Sequence, residues 1–473
     1  MRHTNIALAL LAAAILSACG SSDSDNNVTQ APKPKFASQV SFGDSLSDVG
    51  TYAVGPIAAL RGGKYTINGD NTAVNASLTG KNWTELMASR LGLAAPCAAV
   101  TGLDGDATRG FAVPITNNLN CTGYAQGGAR VTNPVGPGNK LTGTAIGQLT
   151  HPVATQVATH LARNGGKFSG NEVVFVSAGG NDAFALLGEL TAAATAAGNA
   201  AGAAEGAKVG AQTFASTLVS LLAAGATNPT TAAQAIGAAV ATESARAGST
   251  SQTIVGVAVA TAAAQPGNMA VGSPTVYGPM VTQAQTAAAT AGAAAGAKAG
   301  AAAGAAYGAE NGPKMVPRMA AAAAELADIV RNQIVGKGAN YVVLVNLPDL
   351  GGAPSSKAQA ASTQTLINGM VNAFNIALRV GIDGLDSKVL YVDLFTPSQD
   401  QILNPAKYGI SNSTKPACGP NALGTTSLVC NGSNVVTGDV SKYLFADDVH
   451  PTPFGYSLMS NFVAEQMAAK GWL

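Results

Sequence analysis

Four short runs rich in apolar and β-branched residues, at 37–42, 172–178, 340–347 and 388–394, predict buried strands, and a weaker run lies at 121–126. Between them the apolar positions recur with helical spacing, over 82–91, 146–164, 356–380 and 452–470. Strands that alternate with helices predict an α/β fold with a parallel sheet covered on both faces. In such folds the functional loops gather at the carboxyl ends of the strands.

One region breaks this rhythm. From about 190 to 312 the chain is dominated by Ala and Gly, and glycine recurs every fourth residue at Gly198, Gly202, Gly206 and Gly210, then at Gly292, Gly296, Gly300, Gly304 and Gly308. Residues four apart share a helix face, so each stretch predicts a helix with a bare seam along which a second backbone can approach. Glycine costs roughly 1 kcal/mol relative to alanine within a helix, so neither arm is expected to stand alone. A packed helical hairpin inserted at about 190–312 is the expectation, because low-complexity composition does not by itself generate a four-residue period. Lys298, Glu310 and the scarcity of large aliphatic residues argue against a membrane span there. The larger apolar groups at 214–222 and 254–259 leave two roles open, packing on the core or lining a lid.

At 473 residues the chain has room for two or three domains, yet a single α/β core with an insertion suits the pattern. Charged residues make up 11% of the chain, the net charge is +1, and no basic patch points to nucleic acid. Arg2 and His3 precede an apolar run at 6–16, followed by Leu16-Ser17-Ala18-Cys19, the layout of an export signal too short to span a bilayer. The tetrapeptide resembles the bacterial lipoprotein box, in which Cys19 becomes the lipidated first residue. That implies a signal peptide at 1–18, a flexible tether at 19–35 and a membrane anchor, with the outer membrane the destination by analogy. Cys97, Cys121, Cys418 and Cys430 remain, an even number suited to an oxidising compartment. Their proximity in sequence pairs Cys97 with Cys121 and Cys418 with Cys430. No histidine or Cys-x-x-Cys pattern beside them supports a metal.

Three short blocks carry chemistry. Phe42-Gly43-Asp44-Ser45-Leu46-Ser47 follows the first strand-like run and sets the Ser45 hydroxyl at a strand-to-helix bend; Gly179-Gly180-Asn181-Asp182 follows the second; Asp447-Asp448-Val449-His450 puts carboxylates just before a histidine. His450 is the best base among the four histidines: His3 is in the signal, while His151 and His160 sit at a helix start and on a helix face. These blocks, with Tyr124-Ala125-Gln126-Gly127-Gly128-Ala129-Arg130, resemble the GDSL, or SGNH-hydrolase, family of serine esterases and lipases. Gly123 stands where that family often has asparagine.

The resemblance implies a three-layer α/β/α sandwich with a parallel, flavodoxin-like sheet over 36–473, carrying the helical insertion. It implies Ser45 as nucleophile, His450 as base and Asp447, three residues before the histidine, as the orienting acid, with Asp448 its rival. It implies an oxyanion hole built from the amides of Ser45 and Gly128 and the carboxamide of Asn181, with Gly127 replacing Gly128 if the block is shifted by one. Asp44, Asp48 and Asp182 are read as loop-holding residues, with Arg130 a partner for one of them. The expected activity is carboxylic-ester hydrolysis on acyl lipids or other hydrophobic esters, without metal, cofactor or obligate protein partner. Acyl transfer and carbohydrate deacetylation are alternatives at the same site, and a non-catalytic binding lipoprotein is the alternative of another class.

Overall fold

The computed structural model describes residues 33–69 and 79–473. The expected signal segment, Cys19 and the tether up to residue 32 lie outside the described residues. Along the chain, β1 (Gln39–Gly43) leads to α1 (Gly55–Ala59) and α2 (Trp83–Arg90), and the pair β2 (Val100–Asp104) and β3 (Ala112–Asn117) precedes α3 (Val153–Arg163). After β4 (Val173–Ser177) come α4 (Gly180–Ala223), α5 (Pro229–Ser244), α6 (Ser251–Ala263), α7 (Pro274–Asn311) and α8 (Met315–Asp328). Then β5 (Tyr341–Val345), α9 (Pro354–Lys357), α10 (Ala361–Gly381), β6 (Val389–Val392), α11 (Phe395–Leu403) and α12 (Pro453–Ala469) follow.

The main sheet is parallel throughout, in the order β1-β4-β5-β6. Segment 122–126 runs along the outer edge of β1: the Ser41 amide donates to the Thr122 carbonyl, and the Tyr124 and Gln126 amides donate back to Ser41 and Gly43 at 2.8 and 3.1 Å. With that segment counted, the order is the flavodoxin-like one, and it reverses direction between β1 and β4.

Both sheet faces are buried because successive strand residues point to opposite sides. Val174, Val176, Val342 and Leu344 face α3, α8, α10 and the start of α4, meeting Val157, Met319, Phe374 and Leu186. Val173, Phe175, Val343 and Val345 face α2 and α12, meeting Trp83, Met87, Tyr456 and Val463. Two covered faces explain strands that read as nearly continuous apolar runs.

The elements depart from the expected boundaries in places. The helix expected over 146–164 starts only at Val153, because Pro152 caps it and Thr150 takes a φ of +49°. The helix expected over 356–380 is broken into α9 and α10. The β2–β3 pair and α8 had no strong signal: β3 is nearly all exposed, and α8 hides its Met315, Met319, Ala323, Leu326 stripe within alanines.

The Ala/Gly region folds as two long antiparallel arms, and the first, α4, starts at Gly180 rather than near 190. A Cβ on Gly198, Gly202 or Gly206 would come within 2.7, 2.8 or 3.0 Å of a carbonyl oxygen of Gly300, Gly296 or Gly292, so the two backbones touch. At the far end Leu218, Leu222, Ile236, Val240, Val259 and Val271 form a separate apolar cluster that includes the partly buried Phe214 and Ile254. The apolar groups at 214–222 and 254–259 therefore pack on each other, neither on the sheet nor over the cleft described below. Among the described residues no helix is long and apolar enough to cross a membrane.

Candidate active site

Ser45 sits just past the carboxyl end of β1. Gly43 has φ +148°, and a Cβ there would be 2.1 Å from the Ser177 carbonyl oxygen, so glycine lets β1 and β4 end side by side. Gln156 of α3 clamps this glycine, accepting from its amide and donating to its carbonyl, each at 2.8 Å. The chain then turns at once, with the Ser47 amide donating to the Asp44 carbonyl and the Leu46 amide to the Asp44 carboxylate. The expected strand-to-helix bend is thus a turn, since α1 starts only at Gly55. Ser45 is not a helix cap.

Folding closes the 405-residue gap to His450: its Nε2 lies 2.8 Å from Ser45 Oγ. Its Nδ1 lies 2.9 and 2.8 Å from the two carboxylate oxygens of Asp447. Asp447 is buried and also accepts from the amides of Ser427, Val449 and His450. Burial pushes its carboxyl up, but the facing imidazole and these donors outweigh that and hold it well below the usual carboxylate range. An ionised Asp447 requires the proton on Nδ1, which leaves Nε2 free to accept from Ser45. Asp448 is exposed and turns away, its carbonyl accepting from the Ser355 amide. The loop is fixed by the Ala446 amide donating to the His450 carbonyl and by Thr452, whose hydroxyl caps α12.

Asn181 lies in the first turn of α4 and donates through Nδ2 to the Ala129 carbonyl at 2.9 Å, with the second proton of that amide still available. Asp182 ties the same turn to the glycine loop, accepting from Arg130 Nε at 2.9 Å and from the Val131 amide. Gly127 and Gly128 differ in what their amides do. The Gly127 amide donates to Asp48 at 2.8 Å, whereas neither the Gly128 nor the Ser45 amide has an acceptor among the described residues. Gly128 has φ +78°, and a Cβ on it would be 2.1 Å from the Pro137 carbonyl oxygen. Asp48, read from the sequence as a loop-holding residue, accepts from the nearby Gly50 and Thr51 amides as well as from Gly127. Gln156 carries no local sequence signal of its role, because the Gly43 that it clamps is far away in the chain.

The GDSL-like lipase/acylhydrolase family model matches residues 194–463, more than half of the chain. The chain belongs to that family. The match takes in Asp447 and His450, while Ser45, Gly128 and Asn181 precede it. Among relatives, a GDSL esterase/lipase of Arabidopsis thaliana, At2g40250, is 31% identical over 145 residues, which are 28% of this chain and 40% of that protein. GDSL esterase/lipase APG from the same plant is 27% identical over 144 residues, 28% of this chain and 41% of the relative. The alignments thus span well under two thirds of either relative.

In this GDSL-family chain Ser45, Asn181 and His450 open onto one cleft of about 100 Å³. Its walls are largely apolar, with Phe184, Leu347, Leu350, Ile402, Phe445 and Met459 among them. Two buried carboxyls flank the serine in the chain, and Asp44 is among the residues that line the cleft. Burial raises Asp44 to about 7, against the opposing pull of the Leu46 amide and His450, and raises Asp48 to about 6 despite amide bonds from Thr51, Gly127 and Gly50. His160 is packed against Phe168 at 4.5 Å and His151 is near Gln126, so neither competes for the serine. Cys97 is bonded to Cys121 and Cys418 to Cys430, the latter bracketing the Ser427 amide that holds Asp447. Among the described residues no group of three His, Cys, Asp or Glu side chains is arranged to hold a metal ion.

Proposed function

We propose that this chain is a serine carboxylic-ester hydrolase acting through an acyl-enzyme, with Ser45 as nucleophile, His450 as general base and Asp447 as the orienting acid. The observation that carries this reading is the unbroken contact chain from Ser45 Oγ through the His450 ring to Asp447, with 2.8 Å at each end. Ser45 Oγ attacks the ester carbonyl as His450 Nε2 takes its proton, and the negative charge moves to the carbonyl oxygen. The amides of Ser45 and Gly128 and the Asn181 carboxamide receive that charge. The ester C–O bond then breaks, and His450 returns the proton to the leaving alcohol. Water, deprotonated by His450, attacks the acyl-serine and releases the acid.

The apolar walls favour acyl lipids or other hydrophobic esters over small polar ones. Turnover of p-nitrophenyl esters of increasing chain length tests this, since a sharp preference for acetate would reject the hydrophobic substrate class. A fluorophosphonate probe tests the chemistry: labelling of wild type that vanishes in Ser45→Ala is expected, and absence of labelling in folded wild type would sink the enzyme reading. The sequence pattern around Cys19 supports export to a bacterial envelope and a lipid anchor there, with the outer membrane the proposed destination. Detergent partitioning of wild type against Cys19→Ala tests the anchor.

A further inference from the structure

Ser45 and Asp447 hold the two nitrogens of the His450 ring in its plane, and a third side chain lies against the face of that ring. The Tyr65 ring centroid is 4.7 Å from that of the imidazole, with the planes tilted by 37°. Tyr65 is buried and belongs to the chain after α1, outside every catalytic block. Its carbonyl accepts from the Tyr456 hydroxyl of α12, and its ring meets Tyr52 edge-on at 6.5 Å. Gly127 makes room for it. A Cβ on Gly127 would be 2.2 Å from a Tyr65 ring carbon and from its hydroxyl oxygen, so any other residue there would drive the phenol off the imidazole. With its amide given to Asp48, Gly127 serves the site through the space it leaves.

We propose that Tyr65 is a positioning residue for the hydrolysis proposed above, its ring face holding the imidazole in line with Ser45 and stabilising the imidazolium that forms as the serine proton is taken. A cation within about 6 Å of an aromatic face is attracted by the ring quadrupole, most strongly where water is excluded. The other groups facing His450 are Asp447 from its own loop and Asp44 and Ser45 from the turn after β1. Tyr65 itself stays a neutral phenol, because burial and the nearby Tyr52, Asp48 and Asp447 push its ionisation well above the ordinary value. The face presented to His450 therefore keeps its form across the working pH range.

The test replaces Tyr65 with Phe, with mono-, di- and trifluorinated phenylalanines, and with Leu. It reads kcat/KM for p-nitrophenyl butyrate against pH, the fluorophosphonate labelling rate and the melting temperature. Phe is expected to retain activity within about twofold, each added fluorine to lower the plateau kcat/KM stepwise to a total of about tenfold, and the acid limb to move to lower pH. Leu is expected to match the most fluorinated ring. The fluorinated series keeps the shape of the ring, so it remains decisive if Leu fails to fold. A flat series in an active wild type overturns the role of Tyr65 alone, whereas a wild type that neither labels nor turns over ester sinks the hydrolase reading and this proposal with it.

Discussion

At the scale of single residues, the site depends on side chains whose second contacts fix where the first ones point. Asn181 holds the Ala129 carbonyl with one amide proton, and the other is the one proposed above to meet the oxyanion, so Asn181→Ala removes both. A fall in kcat on the order of 100-fold or more is expected, with KM for a p-nitrophenyl ester little changed; near-normal turnover would remove Asn181 from the oxyanion hole. Asp44 makes a different prediction. Burial raises it from the ordinary 3.8 to about 7, so the fold prefers its neutral form and loses stability as pH rises between those values. Asp48, raised to about 6, acts in the same direction, while Asp447 is held low and contributes stability that is lost only on acidification below the ordinary carboxylate range. His160, which burial lowers to about 4, acts the other way up to its ordinary 6.5, so the comparison with Asp44→Asn isolates the carboxyl: between pH 5 and 8 the melting temperature of wild type should fall relative to that of Asp44→Asn, and calorimetry of the two across that range decides. Ser45, Asp447 and His450 were legible because each sits in a short block beside a strand end or helix start. Gln156 and Tyr65 were not, because a clamp on Gly43 and a ring against His450 exist only after the chain folds.

At the scale of elements, the same residue type has opposite effects in different settings. Gly296 of α7 lies where a Cβ would be 2.7 Å from the Gly202 carbonyl oxygen, so Gly296→Ala must push the two arms apart despite its better helix propensity. Gly237, within α5, has nothing within 4 Å of an added Cβ, so Gly237→Ala should stabilise by about 0.5–1 kcal/mol. Thermal unfolding of the two variants should shift in opposite directions, and parallel shifts would mean that the seam is not a close contact. The Cys418–Cys430 bond links an element to the chemistry, because it closes the loop that presents the Ser427 amide to Asp447. Replacing both cysteines with Ser should cost about 2–4 kcal/mol and lower kcat, whereas unchanged kcat would detach that loop from catalysis. Central strands and amphipathic helices could be read in advance because their period records which faces are buried. The β2–β3 pair could not, since an exposed ribbon carries no apolar run, and α8 could not because alanine blurs its stripe.

At the scale of the whole molecule, one apolar cluster stands apart from all the others, at the far end of a stalk that has almost no large apolar side chains. The sheet and its covering helices form one body, and the cluster around Leu222, Ile236 and Val259 forms another, with the glycine seam of α4 and α7 between them. Burial of apolar area is the main source of cooperative stability, so little of it passes along a stalk of alanine and glycine. The far cluster should therefore open on its own. Ile236, fully buried there, is the residue to remove: Ile236→Ala deletes apolar contacts worth roughly 2–5 kcal/mol. Hydrogen exchange should then rise across 214–284 while the amides of β1, β4 and β5 keep their protection. The active site adds a sharper readout, because Asn181 stands in the first turn of the very helix whose far end carries Leu218 and Leu222. That first turn is pinned locally by Arg130, Val131 and Ala129, so the rate of Ser45 labelling by fluorophosphonate should not change in Ile236→Ala. If labelling slows in step with the lost protection, the stalk transmits strain to Asn181, and the two bodies must be treated as one cooperative unit.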